Sequence, residues 1–125
     1  MSRLVLNGGE LIVHLSPLER LGALRSDDVR VPLAAVTGVR VNTDPWSEIR
    51  GIRSLGTGMP GVISLGTRRG EGWRDFTAVY LRRPAVVVEA DASAEAIDAD
   101  FDRVVVSCVD AQAEADRIQT ALPRH

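Results

Sequence analysis

The chain has 125 residues, 45% hydrophobic and 26% charged, with a formal net charge of −2. That length suits one domain able to bury a core, and the composition excludes disordered, collagen-like and disulfide-stapled classes. Bulk charge this close to neutral argues against nucleic acid as a partner. The only apolar run near the start, Leu4–Leu6, is too short for a signal peptide, and no stretch approaches a membrane span; the expectation is a cytoplasmic protein, with peripheral membrane contact left open.

Arg3–Leu6 and Glu10–Leu15 flank Asn7-Gly8-Gly9 and read as a β-hairpin. Ser16-Pro17-Leu18-Glu19 has Ser at the cap, Pro at the first helical position and Glu three residues after the cap, which starts a short helix fading near Gly22. Asp28–Val31 alternates as a half-buried strand, Pro32 breaks it, and Val36–Val41 resumes the pattern. Residues 42–60, with Pro45, Gly51, Gly56, Gly58 and Pro60, read as a long irregular loop. Ser-Leu-Gly-Thr occurs at 54–57 and again at 64–67; the copies read as similar strand-to-turn punctuation rather than a structural repeat.

Val62–Leu65 is expected as a short strand before a polar turn at 68–72. Asp75–Leu81 and Ala85–Glu89 are expected to form a hairpin around Arg82-Arg83-Pro84. An acidic, Ala-rich turn over 91–100 leads to a last strand, Phe101–Val109. Asp110 then caps a helix whose apolar residues Ala111, Ala115, Ile118 and Leu122 share one face until Pro123 ends it. The count is about seven strands and one C-terminal helix.

This order of elements resembles the pleckstrin-homology-like fold, and the phrasing resembles small bacterial members of actinobacterial type. The segments carrying the likeness are Val31–Val39, Pro60–Thr67, and Phe101–Ser107 leading into the Asp110 helix. The resemblance implies a single PH-like domain over 1–125: a split barrel of about seven antiparallel strands in two near-orthogonal sheets, capped by the helix. It also implies a scaffold for phosphoinositide, peptide or protein binding, with frequent self-association in bacterial members. The basic cluster of phosphoinositide-binding members belongs in the loop between the first two strands; here that loop, Asn7-Gly8-Gly9, holds no Lys or Arg.

Catalytic and metal chemistry find no pattern. All fifteen basic residues are Arg, the only Cys is Cys108 in an apolar run, and His14 and His125 are too few and too far apart for a metal site. Asp98, Asp100 and Asp102 alternate, but no EF-hand loop follows. Gly56–Gly61 matches G-x-G-x-x-G, yet it leads into a strand pattern rather than a helix, so it is not a dinucleotide fingerprint. Residues 40–74 carry six Arg against three acids, a net of +3, whereas 84–125 carry three Arg against nine acids. Arg50, Arg53, Arg68, Arg69 and Arg74, with Trp46 and Trp73, are therefore the candidate contact for an anion or an acidic partner. Competing roles for these residues are ion pairing within the chain and, for each Trp, packing. The expectation is a non-enzymatic binding or assembly module without cofactor, associating with itself or another protein. The alternative is a small-molecule or lipid carrier with a cavity between sheet and helix.

Overall fold

A computed structural model describes residues 2–25, 27–91 and 101–123. Among them the chain is mainly β, in two sheets, with a C-terminal helix. The first sheet is antiparallel: β1 (Arg3–Asn7), β2 (Glu10–His14) and β3 (Val29–Pro32). Asn7 pairs with Glu10, so the hairpin loop is the two residues Gly8-Gly9. Both have positive φ, 59° and 81°, which a type I′ turn requires and glycine adopts without strain.

The expected capping box forms and starts α1 (Pro17–Ala23). The Ser16 hydroxyl accepts from the Glu19 N–H at 3.2 Å, and the Ser16 N–H donates to Glu19 Oε1 at 3.0 Å. Past Pro32, a 3-10 turn at Leu33–Ala35 carries the chain across to the second sheet.

That sheet has six strands. In spatial order they are β4 (Val36–Asn42), β8 (Ala85–Ala90), β9 (Arg103–Ser107), β7 (Trp73–Tyr80), β6 (Ile63–Gly70) and β5 (Ile52–Met59). The strands expected over 75–81 and 85–89 form, but not as a hairpin. β9 lies between them, antiparallel to β8 and parallel to β7. The reason is burial on both faces: Val86-Val87-Val88 and Val104-Val105-Val106 are all within about 1% of full burial, and such runs belong at the centre of a sheet.

The expected loop over 42–60 is also corrected. Only 43–51 is irregular; β5 follows as an eight-residue edge strand. The turn placed at 68–72 shrinks accordingly, since β6 runs to Gly70 and Trp73 opens β7. The two Ser-Leu-Gly-Thr copies turn out to be strand partners. Leu55 pairs with Thr67, Gly56 with Gly66 and Thr57 with Leu65, with a bulge at Ser54. A Cβ on Gly56 would stand 2.1 Å from the Leu65 carbonyl oxygen, and one on Gly66 2.1 Å from that of Leu55. Both have φ near +130°, so this close backbone approach is open only to a glycine pair.

Leu11 and Val13 from the first sheet, and Leu15 just after it, pack with Leu65, Phe76, Val86, Val88, Val104 and Val106 from the inner face of the second. α2 (Ala111–Ala121) lies against β1, β4 and β8 and adds Ala111, Ala115 and Ile118 to that cluster. Its cap is as expected: the Asp110 carboxylate accepts from the Ala113 N–H at 3.1 Å. The acidic turn expected over 91–100 lies, apart from Asp91, outside the described residues. No helix among the described residues is long and apolar enough to cross a membrane.

Candidate functional site

The outer face of the six-stranded sheet has its own small cluster: Val79, Ala85, Val87 and Val105, covered by Trp46 and Ile49. These two come from the segment 43–51, which runs over the sheet as a strap. Trp46 is half-buried and donates its indole N–H to the Leu81 carbonyl at 2.5 Å, so its role is to seal this cluster.

Beside the cluster, registered positions put opposite charges in a row. Glu89 pairs with Arg103, Arg103 with Asp75, and Asp75 with Arg68, across four adjacent strands. Paired residues share a face, so the signs alternate along one row of side chains. Arg103 Nε donates to Glu89 at 2.6 Å, and Arg40 bridges Glu48 at 2.7 Å and Glu89 at 3.2 Å. Burial opposes ionisation of Glu48, but hydrogen bonds from Asn42 and Arg40 and the charges of Arg40 and Arg103 outweigh it and lower its pKa.

The structure divides the candidate arginines. Arg50 grips the buried Asp75 with two hydrogen bonds, Nε–Oδ2 at 2.7 Å and Nη2–Oδ1 at 2.9 Å, and lies 4.0 Å from the Trp73 ring centroid. Its bond to Asp75 outweighs burial and raises the guanidinium pKa. Arg68 donates to the carbonyls of Arg50 and Gly51 at 2.8 and 2.7 Å, fixing the end of the strap to β6. Trp73 is half-buried against Gly51 and Gly70, where a Cβ would meet its ring. Arg53 is exposed, reaches the Gly58 carbonyl at 3.3 Å, and borders a cleft of about 340 Å³ with Trp46, Met59 and Arg68. Arg50, Arg68 and Trp73 thus come together, but in the service of the fold.

Arg69 and Arg74 stand opposite each other in register and face the other side of the sheet. There they line a cavity of about 220 Å³ with Arg25, Ser54, Leu55, Thr67 and Phe101. Arg25 was not legible as a site residue, because it follows the end of α1 and reaches this cavity only through the packing of α1 on β5 and β6.

Two further polar clusters hold the fold. The Glu19 carboxylate accepts from Ser2 Oγ at 2.8 Å and from the Tyr80 hydroxyl at 2.5 Å, besides the Ser16 N–H. Burial raises its pKa, but these hydrogen bonds prevail and lower it; burial and the same carboxylate push the Tyr80 hydroxyl up. His14 finds a partner that its sequence position did not show: Nδ1 lies 3.0 Å from Asp28 Oδ2, while Asp28 Oδ1 accepts from the Leu15 N–H and Arg20. The Cys108 thiol is pushed up to about 11 by burial. No group of three or more His, Cys, Asp or Glu arranged to hold a metal ion occurs among the described residues.

Comparison with protein-family models, with curated proteins and with solved structures returns no match.

Proposed function

We propose that the chain is a non-catalytic binding and assembly module that pairs with a second copy of itself through the outer edge of β5. The observation that carries this is the Ser-Leu-Gly-Thr pair. Within the chain, Leu55-Gly56-Thr57 already lies antiparallel to an identical triplet, with Leu opposite Thr and Gly opposite Gly. The other edge of β5 has no strand partner among the described residues. A two-fold axis at Gly56 would repeat the same pairing between copies: Leu55 opposite Thr57, Gly56 opposite Gly56. Unpaired edges are templates for such addition, and a two-fold contact is self-complementary by construction.

Apolar surface concentrates at the same place. Of ten exposed large apolar side chains among the described residues, Leu18, Leu21 and Leu24 belong to α1 and its cap, and Ile52, Leu55 and Met59 to β5. The three β5 residues share the face on which α1 sits, since they pair with Arg69, Thr67 and Ile63. The Thr57 hydroxyl donates to the Gly22 carbonyl at 2.7 Å and fixes α1 there.

The pleckstrin-homology-like reading is supported by the two sheets and the C-terminal helix, while the parallel β7–β9 pair departs from its antiparallel pattern. The carrier reading is less favoured, because Ala111, Ala115 and Ile118 fill the space between α2 and the sheets. A cytoplasmic setting fits a chain whose one cysteine is buried and poorly ionised.

The test is site-directed cross-linking. Directly paired residues across antiparallel strands fall within disulfide reach, whereas diagonal ones, about 7–8 Å apart, do not. Under mild oxidation a mixture of Leu55→Cys and Thr57→Cys chains is expected to give a covalent dimer, and either variant alone is not. Absence of the mixed dimer, with a monomer in sedimentation equilibrium at every concentration tried, would refute the proposal.

A further inference from the structure

A cleft of about 340 Å³ opens on the outer face of the six-stranded sheet, away from α1. Its apolar wall comes from Trp46 and Ile49 of the strap and from Pro60 in the turn between β5 and β6. Trp46 is held by its bond to the Leu81 carbonyl, and both strap residues rest on the outer cluster of Val79, Ala85, Val87 and Val105. The wall is therefore preformed, and its volume falls within the range of about 300–1,000 Å³ usual for small-ligand sites.

Polar groups meet at the same place. Ser64, 4% exposed, lies at the cleft, and its hydroxyl is 2.9 Å from that of Thr77, itself 2% exposed. Two hydroxyls joined by one hydrogen bond hold two protons, so one O–H is left over. No other acceptor for either hydroxyl occurs among the described residues. When Thr77 donates, the spare proton is that of Ser64 and belongs to the cleft. A buried donor without an acceptor costs free energy, which a bound acceptor offsets.

Two arginines border the cleft, and no acid does. Arg68 donates from Nε and Nη2 to the carbonyls of Arg50 and Gly51, which leaves its Nη1 without an acceptor among the described residues. Arg53 folds back over Gly58, where a Cβ would stand 2.4 Å from its Nη1, and reaches only the Gly58 carbonyl, at a long 3.3 Å. Neither guanidinium has a carboxylate partner among the described residues. Asp75, opposite Arg68 in register, is gripped through both of its oxygens by Arg50.

A hydroxyl donor and two guanidinium groups beside an apolar wall match a carboxylate joined to an apolar body. The carboxylate only accepts, and a guanidinium offers it N–H donors in a fixed fork. We infer that this cleft binds a small monocarboxylate with a compact apolar body. Arg53, Arg68 and Ser64 hold its carboxylate, and its apolar part lies on Trp46, Ile49 and Pro60.

The experiment is a titration of the whole chain with phenylacetate, followed by the Trp46 indole N–H and the backbone amide resonances of Gly58 and Ser64. Two matched probes accompany it: phenylethanol keeps the body and loses the charge, and acetate keeps the charge and loses the body. Saturable shifts at those resonances are expected with phenylacetate, at an affinity about tenfold or more above that of either matched probe. Arg53→Gln is expected to weaken phenylacetate about tenfold, the worth of one charge-assisted hydrogen bond. Arg53 is exposed, so this variant keeps the fold. Ser64→Ala supplies a second, uncharged lesion and should weaken binding about fivefold. Arg69→Gln, on the opposite face of the sheet, is expected to leave it unchanged. Absence of saturable shifts overturns the inference. So does a matched probe that binds as well as phenylacetate, or an affinity that neither Arg53→Gln nor Ser64→Ala lowers. The readout needs no second copy of the chain, so it is independent of whether the β5 cross-link forms.

Discussion

The Arg50–Asp75 pair is the clearest place to put a number on what holds the strap to the sheet. Asp75 is 2% exposed at its side chain and Arg50 36%, with both guanidinium contacts under 3 Å. Breaking a fully buried pair costs about 3–5 kcal/mol, because one charge is left without a partner in low dielectric. Arg50 is one-third exposed and can rehydrate, so Asp75→Ala is expected near the lower end, about 3 kcal/mol. Arg50→Ala strands the buried carboxylate and also uncovers the Trp73 ring, a further ~0.5–1 kcal/mol. Arg68 and Arg103 flank Asp75 in register and offset part of that loss. Both single variants should therefore fall near 3 kcal/mol, lowering the melting midpoint of a chain this size by roughly 10 °C. The double variant is the decisive member. It leaves no orphaned charge, so it should cost about 4 kcal/mol where additivity would give about 6, a coupling of about 2 kcal/mol. Urea unfolding followed by tryptophan fluorescence measures all three, with Trp46 and Trp73 reporting from the strap and the ladder. Because Asp75 is buried, the coupling should persist at high salt, where a surface pair would be screened. Additive costs, or a coupling abolished by salt, would refute the reasoning.

Acid should loosen the fold through three carboxyls. Glu19, Glu48 and Asp28 all have pKa values lowered from ordinary values of 4.5, 4.5 and 3.8, so their contribution is complete above those values and lost as pH falls through the folded ones. Equilibrium unfolding between pH 7 and 3 should show that decline, and Glu48→Gln should flatten it in part. Leu24 ends α1 at φ 56° and is 60% exposed. Leu24→Gly is expected to raise stability by about 0.5–1 kcal/mol in urea, the left-handed strain of ~1–2 kcal/mol less the extra chain entropy of glycine. Gly66→Ala drives a Cβ onto the Leu55 carbonyl in a positive-φ conformation, and a loss of about 2–4 kcal/mol by thermal unfolding is expected.

What the sequence showed most directly was whatever depends on near neighbours. The first hairpin, the Ser16–Glu19 capping box and the α2 stripe need only residues a few positions apart, and each formed, though the hairpin loop is Gly8-Gly9 where Asn7-Gly8-Gly9 was expected. β5 escaped notice because its glycines lower strand propensity when read alone. Their reason lies across the ladder, where Gly56 can stand only against Gly66. The place of β9 between β7 and β8 is likewise non-local. The uninterrupted valine runs of β8 and β9 were its one signal, since a hairpin at a sheet edge would have left one face polar.

The partition of the arginines follows from the same parity. Residues 68 and 69 are adjacent in sequence, so a strand must send them to opposite faces. Arg68 goes to the outer face with Asp75, and Arg69 goes inward with Arg74. The local charge of +3 over 40–74 therefore does not make one basic surface. Arg40 is spent on Glu48 and Glu89, Arg50 on Asp75, and Arg68 on the strap carbonyls, so the acids of the C-terminal half are partly absorbed inside the sheet's outer layer. On the inner face, Arg69 and Arg74 stand in register, and Arg25 lines the same recess because α1 packs beside β5 and β6. Which arginines share a face is thus decided by strand register and not by the composition of the segment.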